Sequence, residues 1–170
     1  MHSKSSSELN RKVRELIALK ESLYKQLHPP SPKIVREITA WDLHLFLKDV
    51  IPDKDVKIWL VDAKYKLTTE EELDKVLRIV LPEAWRYLTD FADCDDAAFR
   101  LTGLLSIGEW ASLAMGFTIG NTHAFFSAVL DDNGKLIFRI IEPQIKYGDI
   151  FDYEEAKRRG IYIPLLFIIY

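Results

Sequence analysis

The sequence is poor in several residue types, and each scarcity excludes a class of protein. Its 170 residues include one cysteine and four histidines. A single cysteine cannot close an internal disulfide, so a reducing, intracellular setting is expected. One cysteine among four histidines also lacks the paired spacing of a Cys/His zinc site. Structural zinc and disulfide scaffolds are therefore excluded.

Long apolar runs and an excess of basic charge are also missing. No apolar run approaches the roughly 18 residues of a membrane span, and the first residues lack the apolar core of a signal peptide. The formal net charge is −3, from 23 basic and 26 acidic residues, which predicts no broad basic surface. We therefore expect a cytoplasmic protein with no membrane or nucleic-acid partner. Glutamine occurs only twice among many charged residues, a tendency of hyperthermophile proteins.

The first 30 residues differ from the rest of the chain. Residues 1–6 resemble a disordered tail, and apolar residues at helical spacing predict an amphipathic helix over Ser7–Leu27. The proline-rich segment His28–Pro32 ends it. We predict that the apolar stripe docks on the protein's own core; the alternative is pairing with a partner chain, including self-association. Residues 31–170 then form one domain.

Residues 31–170 predict helices followed by an antiparallel sheet, hence an α+β fold. In chain order we predict a helix over Ile34–Val50, a strand over Val56–Val61, a helix capped by Thr68 or Thr69, a helix after Cys94, a glycine-broken stretch over Gly103–Gly120, strands over Thr122–Leu130 and Lys135–Ile141, a helix over Tyr153–Arg159 and a strand over Ile161–Tyr170. Asn133-Gly134, between two apolar strands, is a strong hairpin signal. Trp110 either packs in the core or walls a cleft.

The lone cysteine, Cys94, lies where an acidic turn opens a helix. Asp93 is a good N-cap, and Asp95 and Asp96 fall in the first turn, where the helix dipole favours negative charge. Backbone N–H groups at this helix start favour the thiolate, whereas the neighbouring aspartates oppose it. The cysteine therefore needs a base to become a nucleophile.

A base and an acid follow on the predicted hairpin. His123 and Glu142 lie at similar distances from the Asn133-Gly134 turn on opposite strands, so their side chains should be within reach of each other. A carboxylate at that place can fix the imidazole tautomer and stabilise the imidazolium, while the second ring nitrogen faces the thiol. The predicted site is therefore a cysteine, a histidine and an acid, in that chain order.

Three segments together resemble a papain-like cysteine peptidase family, best known from the C-terminal domain of a mushroom agglutinin and from phage and microbial relatives. They are Asp93–Phe99, Thr122–Phe125 and Ile141–Gln144. The resemblance covers roughly residues 55–150. It implies a papain-like fold with Cys94 as nucleophile, His123 as base and Glu142 as orienting acid. It also implies a divalent metal, calcium or manganese, whose ligands it does not assign.

The chain departs from the family pattern at a few positions. Thr122 stands where a glycine usually precedes the histidine, and Ile145 stands where a threonine usually follows the glutamine. No glutamine lies shortly before Cys94, so its backbone N–H would serve as the oxyanion donor.

The expected function is a cysteine hydrolase, a peptidase or amidase that acts on a peptide or protein through a thioester. Transglutaminase-type acyl transfer would use the same three residues. The rival from another class is a catalytically silent binding or structural module, such as a virion component, that recruits a partner through its N-terminal helix.

Overall fold

The computed structural model describes residues 3–86, 88, 93–160 and 165–170. In chain order its elements are α1 (Ser3–Leu27), β1 (Arg36–Thr39), α2 (Ala40–Val50), β2 (Lys57–Trp59), β3 (Lys64–Leu67), α3 (Glu70–Val80), α4 (Cys94–Leu105), a 3-10 helix (Gly108–Ser112), β4 (Met115–Gly120), β5 (Ala124–Asp132), β6 (Lys135–Glu142), β7 (Asp149–Phe151), α5 (Tyr153–Arg159) and β8 (Leu165–Ile169). Helices pack around a mainly antiparallel sheet, which confirms the α+β class. Residues 161–164 of the predicted last strand lie outside the described residues.

Within the described residues, the main sheet has six strands in the order β2-β8-β4-β5-β6-β7. β2 and β8 run parallel, and the other neighbours are antiparallel. The β5–β6 hairpin closes at Asn133 and Gly134, whose φ angles of 52° and 90° suit a tight two-residue turn. Asp132 therefore faces Lys135, and the predicted hairpin is confirmed.

The central strand β5 is buried on both faces. Phe125 and Val129 belong to a core cluster with residues of α2 and α5. Phe126, Ala128 and Leu130 belong to a second cluster with residues of α3 and α4. A strand covered on both faces carries apolar residues on both, which explains the apolar run over Ala124–Leu130, interrupted only by the buried Ser127. Each fully buried large side chain contributes roughly 1.5–3 kcal/mol, so this strand holds the two layers of helices together.

A separate two-stranded sheet corrects the predicted helix over Ile34–Val50. The helix begins only at Ala40, because Thr39 caps it: its Oγ1 accepts a hydrogen bond from the backbone N–H of Asp42 at 3.1 Å. The preceding residues form β1, which pairs with β3 and places Ile38 opposite Tyr65. Both strands were absent from the sequence prediction, since their pairing is non-local.

The glycine-broken stretch contains a strand that the sequence prediction missed. β4 lies between β5 and β8, and its pairing places Phe117 opposite Phe126 on one side and Ile169 on the other. Trp110 is 3% exposed and its Nε1 donates a hydrogen bond to the carbonyl of Pro30 at 2.7 Å. It is therefore a core residue and anchors the proline-rich segment.

The N-terminal helix differs from its prediction in length and in packing. It begins at Ser3, inside the residues expected to form a disordered tail. It contacts α3, yet its apolar stripe does not dock on the core, because Leu16 and Leu23 are 65% and 49% exposed. In the described part of the chain, no helix combines the length and the apolar character that crossing a bilayer requires.

Candidate functional site

Cys94 is the first residue of α4, as the acidic turn predicted. The backbone N–H of Asp93 donates a 3.4 Å hydrogen bond to Oδ2 of Asp96, which closes one side of a capping box. The apolar face of α4, including Ala97 and Leu101, is buried. This face fixes the direction of the helix and therefore the position of the thiol at its start.

The thiol of Cys94 lies at the edge of a small apolar cluster. The side chain is partly buried and packs against a group formed by Ala98, Phe117 and Ala124. Ala124 is the residue that follows His123, so the start of α4 lies against the start of β5. The helix packs across β4 and β5, which is the arrangement that a cysteine–histidine site requires.

His123 and Glu142 form a direct contact at the end of the hairpin. Nε2 of His123 lies 2.5 Å from Oε2 of Glu142. The strand register places Phe126 opposite Ile141, so Glu142 falls opposite Phe125 and meets the histidine diagonally. The side chains are 19% and 8% exposed, so water screens their interaction little. A short contact of this kind fixes the imidazole ring.

The second carboxylate oxygen of Glu142 is also held. Oε1 accepts a hydrogen bond from the backbone N–H of Gln144 at 3.1 Å. With both oxygens engaged, the carboxylate cannot rotate away from the ring. Nδ1 of His123 takes part in no hydrogen bond among the described residues. Nδ1 is therefore the ring nitrogen that can accept a proton from a thiol.

Gln144 supplies a polar group that the sequence argument did not single out. Its Nε2 is buried and has no hydrogen-bond partner within the described residues, although its backbone carbonyl accepts from the N–H of Trp85 at 2.9 Å. An unsatisfied buried amide is costly and rare. Gln144 belongs to the Glu142-Pro143-Gln144 segment of the sequence, but only the structure shows that its buried Nε2 has no hydrogen-bond partner among the described residues.

The acidic residues around Cys94 lie close enough to share a cation. One ligand atom each from Asp93, Cys94 and Asp95 lies within 4.8 Å of the other two. Calcium and manganese prefer oxygen ligands, whereas a thiolate prefers softer metals. The two carboxylates, rather than the thiol, are therefore the groups of the described chain that fit a divalent metal of the kind the resemblance implies.

The same carboxylates interact with each other. A side-chain hydrogen bond that protonated Asp93 donates to Asp95 raises the pKa of Asp93 above its ordinary value, and desolvation and the charges of Asp95 and Asp96 add to the rise. Asp93 thus retains its proton to a higher pH than an isolated aspartate does. The proton that Asp93 shares with Asp95 in this hydrogen bond can stabilise the folded state only at low pH. That contribution to the free energy of unfolding is lost as the pH rises through the raised pKa of Asp93.

We predict that Asp95→Asn lowers the pKa of Asp93 toward its ordinary value, because the largest cause of the rise is removed. The titration of the Asp93 carboxyl carbon, followed by NMR, measures the change. Asp96→Asn is the matched control and should lower the pKa less, since Asp96 acts only through its charge. A pKa that stays the same in Asp95→Asn would contradict the shared proton.

Comparisons with known proteins define the fold further. No protein-family model and no curated protein sequence matches the chain. Several solved structures do resemble it, including the following two. PSL1a in complex with E-64 is 20% identical with a TM-score of 0.61, over 79% of this chain and 51% of that chain. The lectin of Polyporus squamosus, bound to a human-type influenza-binding epitope, is 19% identical with a TM-score of 0.56, over 79% and 49%.

These two similarities concern the fold. The chain spans about half the length of the two solved chains, so the likeness is to a part of each. At 19–20% identity, what these proteins bind does not transfer to this chain. The protein therefore shares the α+β fold of a portion of these mushroom lectin structures.

Proposed function

We propose that this protein is a papain-like cysteine hydrolase, a peptidase or amidase with Cys94 as nucleophile, His123 as base and Glu142 as orienting acid. The observation that carries the proposal is the partly buried contact between His123 and Glu142. A carboxylate held by a backbone N–H, with an imidazole held by the carboxylate, leaves one ring nitrogen for a third group. The thiol at the neighbouring helix start is suited to be that group.

The proposed reaction begins with transfer of the thiol proton from Cys94 to Nδ1 of His123. The thiolate attacks the carbonyl carbon of an amide, and the negative charge moves to the carbonyl oxygen. The imidazolium then protonates the leaving amine as the carbon–nitrogen bond breaks, which leaves a thioester on Cys94. A water molecule, deprotonated by the same imidazole, hydrolyses the thioester and restores the thiol.

The oxyanion formed in this reaction needs hydrogen-bond donors. The backbone N–H of Cys94 lies at a helix N-terminus, where N–H groups have no intrahelical partner. The unpaired Nε2 of Gln144 is a second donor on the segment that holds Glu142. Donors of this kind contribute roughly 3–4 kcal/mol to transition-state stabilisation. A divalent cation held by Asp93 and Asp95 would add positive charge beside the thiol.

The E-64 complex of PSL1a suggests the reagent for the test. E-64 is an epoxide that alkylates activated cysteine thiolates, and Cys94 is the single cysteine in the sequence, so any thiol adduct reports on this site. We expect one adduct on the native protein by intact mass spectrometry, and none on Cys94→Ala. A native protein that stays unmodified by E-64, while the unfolded protein reacts with iodoacetamide, would favour the silent binding module.

Glu142, the proposed orienting acid, can be tested separately from Cys94 and His123. We predict that Glu142→Gln lowers the rate of any hydrolysis by about tenfold or more, because a neutral amide stabilises the imidazolium less than a carboxylate does. Labelling of Cys94 should remain measurable, since the base is still present. The comparison of both rates in wild type and variant checks this. Equal hydrolysis rates would remove Glu142 from the proposed site.

The group that attacks the thioester decides whether the protein is a hydrolase or an acyl transferase. Water and a primary amine can both attack the thioester, and the three proposed residues would serve either reaction. Adding an amine acceptor to the assay separates them: a transferase forms the new amide, and a hydrolase releases the acid.

A further inference from the structure

The apolar face of α1 is a large exposed surface of the described residues that the proposed site does not use. Eight large apolar residues of this helix are between 45% and 65% exposed: Leu9, Val13, Leu16, Ile17, Leu19, Leu23, Tyr24 and Leu27. Together they expose on the order of 800 Å², which matches what one partner contributes to a stable interface. Apolar patches on monomers are rarely larger than roughly 600 Å². This face is therefore of a size that a partner normally covers.

The spacing along α1 is that of a two-helix coiled coil. Leucine occupies successive d positions at Leu9, Leu16 and Leu23, and the a positions are Val13, Lys20 and Leu27. Leucine at d with a β-branched residue at a is typical of paired helices. The ion pairs Arg11–Glu15 and Lys12–Glu8 lie off this seam. The 25-residue helix is long enough for three heptads.

The pattern is also symmetric about Ala18. An antiparallel second copy would place Leu9 against Leu27, Val13 against Leu23, and Leu16 against Lys20 of the other helix. A surface that matches itself after a two-fold rotation is what a symmetric dimer requires. By contrast, a parallel pair would place Lys20 against its own copy, where two like charges repel.

We propose that two copies of this chain associate through α1, with the two helices antiparallel and centred on Ala18. The exposed helix then becomes a dimer interface, and each copy presents its candidate site independently of the other. The inference does not rest on the proposed hydrolase, because no residue of α1 takes part in that site.

The first test is the mass of the full chain. Sedimentation or light scattering at a chain concentration of about 100 µM should give twice the monomer mass, as expected for an interface of micromolar affinity. A monomer under these conditions overturns the proposal and favours docking of α1 on the body of the protein or on another partner. Ala18 lies at the level of the two-fold axis but on the side of α1 that faces away from the a and d positions. Ala18→Glu should therefore leave the mass unchanged.

Two matched substitutions then test the orientation. Leu23→Glu places a charge against Val13 of the antiparallel partner, so we expect the dimer to weaken by about 100-fold or more. Leu16→Glu places the same charge against Lys20 of the partner, so the loss should be at least about tenfold smaller. Equal weakening by the two substitutions indicates a parallel pair and overturns the antiparallel arrangement. A dimer that survives both uses another surface, which also overturns the proposal.

Discussion

Replacing His123 with alanine is expected to slow the alkylation of Cys94 at neutral pH by about 100-fold or more, and to abolish any hydrolysis. The physical reason is that a positioned general base contributes roughly 10²–10⁴ in rate. Neither β4 nor β5, the strands against which α4 packs, contains a histidine that could replace it. The thiol and the imidazole act as a unit, so Cys94→Ala should abolish hydrolysis to the same extent.

The labelling rate can be assigned to one residue because the sequence contains a single cysteine. The rate of iodoacetamide or E-64 modification, followed by intact mass, therefore reports on Cys94 alone. His44→Ala is the matched control, since His44 lies in α2, where its ring stacks on Trp41 with centroids 6.2 Å apart. The control should react as fast as wild type. If His123→Ala reacts equally fast, the thiol is not activated by this histidine.

Circular dichroism distinguishes a chemical effect from unfolding. His123 precedes β5, outside the strand pairing, and its principal contact is Glu142. Its removal leaves the carboxylate with the N–H of Gln144. We therefore expect some loss of stability from a buried charge that loses its partner, with the secondary structure retained.

The parts of the site that the sequence predicted are those set by local rules. The turn at Asn133-Gly134 fixes the hairpin, and the hairpin brings His123 to Glu142. The acidic turn fixes the start of α4 at Cys94. Both signals lie within a few residues of the structures they produce, so a single sequence is enough to predict them.

The parts that the sequence did not predict depend on distant segments. β1 pairs with β3, and their pairing overrides the helical spacing of residues 34–39. The unpaired amide of Gln144 follows from how the loop after β6 packs, which no local pattern encodes. The apolar stripe of α1 was predicted correctly as a pattern, but a pattern cannot identify the surface that covers it.

β4 is the clearest case of a non-local cause. Its glycines resemble strand breakers in the sequence, yet Gly116 lies inside the strand. The neighbouring strand β8 approaches so closely that a Cβ at Gly116 would lie 2.0 Å from the carbonyl oxygen of Ile169. The glycine is required because another segment, some fifty residues away in the chain, occupies the space of a side chain.

Gly116→Ala is therefore expected to lower the free energy of unfolding by about 2–4 kcal/mol, and the melting temperature by roughly 5–15 °C. Relief of the clash requires β8 to move, which strains its pairing with β4. It also displaces Tyr170, whose Cδ1 would lie 3.2 Å from the new Cβ. The Tyr170 hydroxyl is hydrogen-bonded to Ser127 at 2.8 Å within the core, so the displacement also disturbs a buried polar contact.

Gly103→Ala provides the matched control for this last prediction. Gly103 lies within α4, and a Cβ there would meet nothing within 4 Å. The same substitution should therefore stabilise the protein by about 0.5–1 kcal/mol, because alanine favours a helix and restricts the unfolded chain. Chemical and thermal unfolding of both variants measure the two free energies. Opposite signs support the close approach of β8, whereas a Gly116→Ala protein as stable as wild type would show that β8 does not lie where the structure places it.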